Sequence, residues 1–304
     1  MRQLIKEGNF TWVDVQHPTK EDMEYLRENF GLNSFLLDQL YLPAWRPKFE
    51  VLYPHLLLIL YYPFYSKEKK DTSARELDIL VSNDAVITFH YDSILPLKSL
   101  FNKCNIYPGA KTRYMTRGSG FLTFEILNAF WEHILVKLSR INKKIDLIEE
   151  KIFRGEEHAM VREISLAKAD VLDFWRFIEP QGQLLSQLRS EGTAFLQDNE
   201  LKQYFSHILD HYHQAVHDLE TYRETIRSLE ETNNSLLTSK TNEIARILTV
   251  FSAIVLPLTL VASIFGMNAQ LPFGDAPKAF WIILIAMGTM LLFMFGYFKK
   301  RKWL

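Results

Sequence analysis

The spacing of apolar residues changes twice along the chain. Over the first hundred residues, short apolar runs alternate with helical patterns. Phe10–Val15 (FTWVDV), Leu56–Tyr62, Glu76–Ser82 and Ala85–His90 are rich in β-branched and aromatic residues and predict strands, the last two joined by an Asn83-Asp84 turn. In HPTKEDMEYLRENFG, Thr19 stands three residues before Asp22 and Gly31 closes the run, which predicts a capped helix. The mixture predicts an α/β domain over residues 1–117. Continuous apolar strands such as LLLIL predict that its sheet is covered on both faces.

From about Gly118 the period becomes helical. Phe124, Leu127, Trp131, Ile134, Leu138, Ile141, Ile145, Ile148 and Ile152 are spaced alternately by three and four, the seam of a coiled-coil-like helix. A second helix starts near Glu156 and is interrupted near Glu179-Pro180, so residues 118–197 read as a helical hairpin. The seam resumes at Leu201, Phe205, Ile208, Tyr212, Ala215, Leu219, Tyr222, Ile226 and Leu229. No Pro or Gly occurs between Asp198 and Leu256. One helix over residues 198–265 is therefore expected, a stalk that enters the membrane without a break.

Charge then nearly vanishes. Ile247–Phe265 holds 19 uncharged residues, roughly 28 Å of helix, and Ala279–Phe298 holds 20, with Trp281 and Tyr297 near its ends. Both predict membrane spans, joined by a loop at 266–278 and followed by a basic tail at 299–304. Lys240 and Arg246 precede the first span and Lys299-Lys300-Arg301-Lys302 follows the second, whereas the loop carries only Asp275 and Lys278. The excess of cytoplasmic Lys and Arg that orients membrane proteins puts both termini in the cytoplasm and the loop outside, in a multi-pass protein of the cell's inner (plasma) membrane.

On a helical wheel Thr249, Ser252, Thr259 and Ser263 fall in a narrow arc that Ala245 and Leu256 share. Such an arc faces either a water-filled path or a packed neighbouring helix. Neither span contains an acidic or basic residue, which argues against a proton relay. Two spans cannot enclose a pore, so conduction requires an oligomer with the first span of each subunit inside.

Composition narrows the classes further. The net charge of -1 offers no broad basic face for nucleic acid. A single cysteine, Cys104, excludes an internal disulfide framework and fits a reducing compartment. The beginning of the chain, MRQLIKEGNFTWVDV, shows no apolar stretch of secretory-signal length. No phosphate-loop or metalloprotease pattern occurs, so neither ATP-driven pumping nor an enzyme is expected.

WVDVQHPTKEDMEYL, ELDILVSNDAVITFHYD, SKTNEIARILTVFSAIVLPLTLVASIFGMN and the terminal YFKKRKWL together resemble the CorA family of magnesium channels across essentially the whole chain. The most specific part is Gly266-Met267-Asn268 at the end of the first span, with Pro257-Leu258-Thr259 upstream. The resemblance implies an α+β membrane protein: an N-terminal cytosolic α/β domain, a long helical stalk and two C-terminal transmembrane helices, assembled as a homopentamer in the lipid bilayer. It implies Mg²⁺ influx down its electrochemical gradient, with a hydrated ion held at the mouth by a ring of Asn268 amides. It places Asn242, Ala245, Leu248, Thr249, Ser252, Leu256 and Thr259 along the pore. No cofactor is implied beyond the transported ion, which is Mg²⁺ or, in the zinc-handling branch of the superfamily, Zn²⁺, Co²⁺ or Ni²⁺.

Three departures bear on the ion. Phe265 stands where the family often has Tyr. Leu271-Pro272-Phe273 replaces an acidic context after the Asn, leaving Asp275 as the carboxylate of the loop. Where the family tends to have an intersubunit Asp used in sensing cytosolic Mg²⁺, this chain has His207. Asp210, His213 and His217 lie on the face opposite the apolar seam at i, i+3 and i+7. That face is either a regulatory site favouring Zn²⁺, Co²⁺ or Ni²⁺, or a solvated surface.

Overall fold

The computed structural model describes residues 1–44, 46–66, 71–267, 279–301 and 303. They form two compact units, residues 1–230 and 231–304. The helical hairpin expected at 118–197 belongs to the same unit as the sheet.

The first unit opens with β1 (Arg2–Glu7), β2 (Phe10–Gln16), α1 (Lys20–Phe30) and α2 (Ser34–Tyr41), followed by β3 (Lys48–Leu52), β4 (His55–Ser66), β5 (Asp71–Val81) and β6 (Ala85–His90). The strands make one mixed sheet in the order β1-β2-β6-β5-β4-β3. Among the described strands only β2 and β6 run parallel, with Val13 opposite Ile87 and Val15 opposite Phe89. A parallel pair needs a crossover connection, and here the crossover contains both α1 and α2 as well as the β3–β4–β5 meander. Every residue of β6 is buried, as a strand covered on both faces must be. On one face, Val13, Val15, Leu57, Ile59, Leu80, Ile87 and Phe89 pack with Met23 and Leu26 of α1 and Leu36, Leu37 and Leu40 of α2.

The start of α1 is fixed locally. The Asp22 amide donates to Thr19 Oγ1 at 3.3 Å, and the Thr19 amide donates back to the Asp22 carboxylate at 3.1 Å. This reciprocal cap satisfies amides that the helix itself leaves free. Gly31 ends the helix in the left-handed conformation at φ 66°, where a Cβ is disfavoured.

The other face of the sheet is covered by helices. α3 (Leu95–Ile106) sets Phe101 edge-on to Trp12 of β2 at 4.9 Å between ring centroids, and α4 (Pro108–Met115) follows. α5 (Ser119–Phe153) and α6 (Glu157–Ile178) both contact β4 and β5. The expected α5 seam from Phe124 to Ile152 is buried throughout, as is Met160, Ile164, Ala167, Val171, Phe174 and Ile178 of α6. After α7 (Gln181–Gln187), a π-helical turn (Leu188–Gly192) and α8 (Thr193–Leu196), the chain enters α9 (Leu201–Phe265). The Asp198 carboxylate accepts from the Glu200 amide at 2.9 Å, so the helix begins three residues later than the earliest position the pattern allows.

The second unit contains the remainder of α9 and α10 (Ala279–Lys300). Both helices are long and apolar enough to cross a membrane. Their more buried positions recur at helical spacing, Val250, Ile254, Pro257 and Val261 on α9 and Ile283, Met287, Met290 and Met294 on α10.

Candidate ion path and histidine face

The polar arc of α9 lies on the side opposite that half-buried stripe. Asn242, Ala245, Leu248, Thr249, Leu256 and Thr259 are exposed and Ser252 is half-buried, whereas Val250, one residue from Thr249, is 2% exposed. Leu248 and Leu256 are 63% and 67% exposed in the single chain. Apolar surface of this kind is stable only against lipid or protein, and hydroxyls interleaved with it disfavour plain lipid.

The hydroxyls themselves are already oriented. Thr249 Oγ1 donates to the Ala245 carbonyl at 2.8 Å and Thr259 Oγ1 to the Val255 carbonyl at 2.9 Å. Each hydroxyl proton is thereby committed to the helix, and each oxygen keeps lone pairs free to accept. A surface of acceptors suits the waters around a hydrated cation, whose protons point outward.

Gly266 ends α9 with its amide donating to the Ala262 carbonyl at 2.9 Å. A Cβ at this position would lie 3.1 Å from that same oxygen, closer than side chains normally approach. Its φ is not in the left-handed range, so the requirement for Gly is close approach rather than backbone handedness. Met267 is 59% exposed in the single chain. Asn268 and Asp275 lie outside the described residues.

On α9 of the first unit, the structure groups the histidines differently from the expected set. Among the described residues, no three or more His, Cys, Asp or Glu side chains are placed to hold a metal ion. His207 lies against His211, with ring centroids 4.3 Å apart, while His213 rests against the Tyr212 ring at 5.2 Å. Asp210, His213 and His217 are exposed. His211 is absent from the expected set because it sits between the apolar seam and the polar face. Burial, with His207 beside it, pushes its pKa below the ordinary imidazole value.

The profile of the family described as CorA-like Mg²⁺ transporter protein matches residues 7–300. The chain belongs to that family. The CorA-like family transports divalent cations and is not a family of enzymes. The cobalt/magnesium transport protein CorA of Thermotoga maritima is 26% identical over 97% of this chain and 83% of its own length. The zinc transport protein ZntB of Pectobacterium atrosepticum is 24% identical over 61% of this chain and 57% of its own. The solved CorA magnesium transporter of Methanocaldococcus jannaschii superposes with a TM-score of 0.83 at 22% identity, covering 99% of this chain and 93% of that one. That likeness establishes the CorA fold, a soluble N-terminal α/β domain, a long helix and two C-terminal apolar helices.

Proposed function

We propose that this chain conducts Mg²⁺ into the cell, down its electrochemical gradient, through a pore made by five copies with α9 innermost. The observation that carries the reading is the polar arc of α9, exposed in the single chain and turned away from the half-buried stripe. Both termini then lie in the cytoplasm of the inner (plasma) membrane, and the 266–278 loop lies outside.

In this reading the Asn268 amides form a neutral ring at the outer mouth, with Asp275 as the nearby carboxylate. Mg²⁺ dehydrates reluctantly, so amide oxygens that bind its waters avoid the cost of stripping them. Along the path Asn242, Thr249, Ser252 and Thr259 offer oxygen atoms to the same water shell. Ala245 leaves the lumen wide at its level, and Leu248 and Leu256 form apolar rings that gate by excluding water. The membrane potential contributes about 2.3 kcal/mol per elementary charge per 100 mV, which favours entry of a divalent ion.

A second reading keeps the fold and changes the ion to Zn²⁺, Co²⁺ or Ni²⁺. It is favoured by the imidazoles along α9 and by the non-acidic Leu271-Pro272-Phe273 after Asn268. Since no three potential ligands converge within one chain among the described residues, a regulatory site at His207, Asp210, His213 and His217 would require an ion shared with a neighbouring copy.

Flux into proteoliposomes tests both. Mg²⁺, Zn²⁺, Co²⁺ and Ni²⁺ are supplied in parallel, with and without an inside-negative potential. Potential-driven Mg²⁺ uptake is expected. Uptake of Zn²⁺, Co²⁺ or Ni²⁺ without Mg²⁺ selects the second reading, and no uptake of any ion overturns both.

A further inference from the structure

We infer that Arg75 of β5, with Lys137 and Arg140 of α5, forms a binding site for a phosphate group, free or carried by a nucleotide, where the sheet meets α5. The site lies within the first unit and uses no residue of the ion path.

Strand register puts its parts on one side of the sheet. Arg75 stands directly opposite Tyr62 across the β4–β5 pair, and Phe64 lies two residues beyond Tyr62, so all three side chains leave the same face. That face meets α5. Tyr62 packs against Phe130 at 5.3 Å between ring centroids and stacks on His133 at 5.8 Å. A hydrogen bond between Tyr62 Oη and His133 Nδ1 fixes the Tyr62 ring further.

Two cations rest on these rings. Lys137 Nζ lies 4.1 Å from the Tyr62 centroid and 5.5 Å from that of Phe64, and the Arg75 guanidinium carbon lies 3.2 Å from the Phe64 centroid. Arg140, three residues after Lys137, shares its side of α5 and is exposed to solvent.

The group carries charge that the chain leaves unbalanced. Among the described residues, none of the three cations forms an ion pair with a carboxylate. Lys137 Nζ donates to the Pro63 carbonyl at 2.7 Å and Arg75 Nη1 donates to the Ser93 carbonyl, and each keeps further N–H donors. Burial, and then the charges of Arg75 and Arg140, push the Lys137 ammonium down to about 8. An aromatic face attracts each cation singly and does nothing against their mutual repulsion. A bound anion relieves it.

The donors select the anion. A carboxylate carries one charge and is satisfied by a single guanidinium fork. A phosphate group carries about −1.5 to −2 charge near neutrality and three strong acceptor oxygens, which suits two guanidinium groups and an ammonium together. Held here, it would tie β4 and β5 to α5.

The purified full chain in detergent, free of divalent metal and at constant ionic strength, is titrated calorimetrically with inorganic phosphate and separately with ADP, so the outcome does not depend on flux. One anion per chain is expected, with a rise in unfolding temperature at saturation. Tighter binding of ADP assigns the site to a nucleotide's phosphate, and equal or tighter binding of inorganic phosphate assigns it to the free ion. Arg75→Gln and Lys137→Gln should each weaken binding at least tenfold and abolish the rise, whereas Lys137→Arg should retain both. Arg140→Gln should weaken binding severalfold, and Lys144→Gln, at a lysine already paired with Asp170, should leave it unchanged. Because Arg140 is exposed, its variant keeps the fold even if the other two do not. Failure of both probes to bind the parent, or unchanged binding in Arg140→Gln, overturns the site.

Discussion

Asp78 and Glu76, two residues apart on β5, point to the same face of the strand, and both carboxyls are buried there. The Ala44 amide donates to the two Glu76 carboxylate oxygens at 2.8 and 3.0 Å, and Tyr61 Oη donates to the Ala44 carbonyl at 2.6 Å. Glu76 therefore anchors the segment between α2 and β3, and Asp78 is the partner that must keep its proton. Burial raises both carboxyls above their ordinary values, and the charge on Glu76 raises Asp78 further.

The sign of the pH dependence follows. A carboxyl whose pKa is higher folded than unfolded contributes stability that is complete below the unfolded pKa and is lost as pH rises through the folded pKa. Asp78→Asn removes the ionisation. The variant should be more stable than the parent at pH 7–8 by about 1–3 kcal/mol and flatter with pH above the ordinary carboxylate range. Urea denaturation at several pH values measures this, and a less stable variant at pH 8 would falsify the raised pKa of Asp78.

Thr19→Ala removes the oxygen that receives the Asp22 amide and should cost about 1 kcal/mol. Thr19→Ser, which restores an acceptor, should recover most of it. Equal denaturation midpoints for the two variants would show that the cap contributes nothing.

Gly182 on α7 sits beneath the Tyr212 ring, and a Cβ there would lie 2.6 Å from Tyr212 Cζ. Tyr212 Oη also donates to the Glu179 carbonyl at 3.0 Å, so the ring cannot swing aside without losing a bond. Gly182→Ala should destabilise the first unit by about 1–3 kcal/mol. Thermal melting checks the value, and restoration by the double variant with Tyr212→Ala would locate the clash.

Asn268→Ala removes the amide proposed to meet the hydrated ion. Uptake of divalent cations in proteoliposomes should fall to background while size-exclusion chromatography shows unchanged assembly. Uptake at the parental rate rules out the amide ring.

Legibility in the sequence followed the strength of the local signal. β6 was readable because all six of its residues are apolar, polar-to-core or β-branched and all are buried. β1 and β3 were not, because each lies at a sheet edge and is largely exposed or half-buried, so neither carries a clear alternation. α2 was passed over for a related reason: its eight residues offer too few turns for a period to stand out, although Asn33 caps it through the Leu36 amide at 2.8 Å.

The candidate site divides in the same way. The α9 arc was visible as Thr249, Ser252 and Thr259 at helical spacing, since a helix converts sequence separation into angle without reference to anything else. The same rule pairs His207 with His211, four residues on along α9, whereas the expected set grouped Asp210, His213 and His217 at i, i+3 and i+7.

Periodicity and the distribution of charge thus suffice for the two apolar helices, the long α9 and the Gly-Met-Asn at its end, because each depends on local spacing or on transfer from water. Which residues meet across elements, Glu76 with the Ala44 amide, Gly182 with Tyr212, and Trp131 with Tyr212, was decided by the tertiary structure. Those contacts depend on how helices and strands dock, and side chains far apart in the chain carry no mutual signal until the core brings them together.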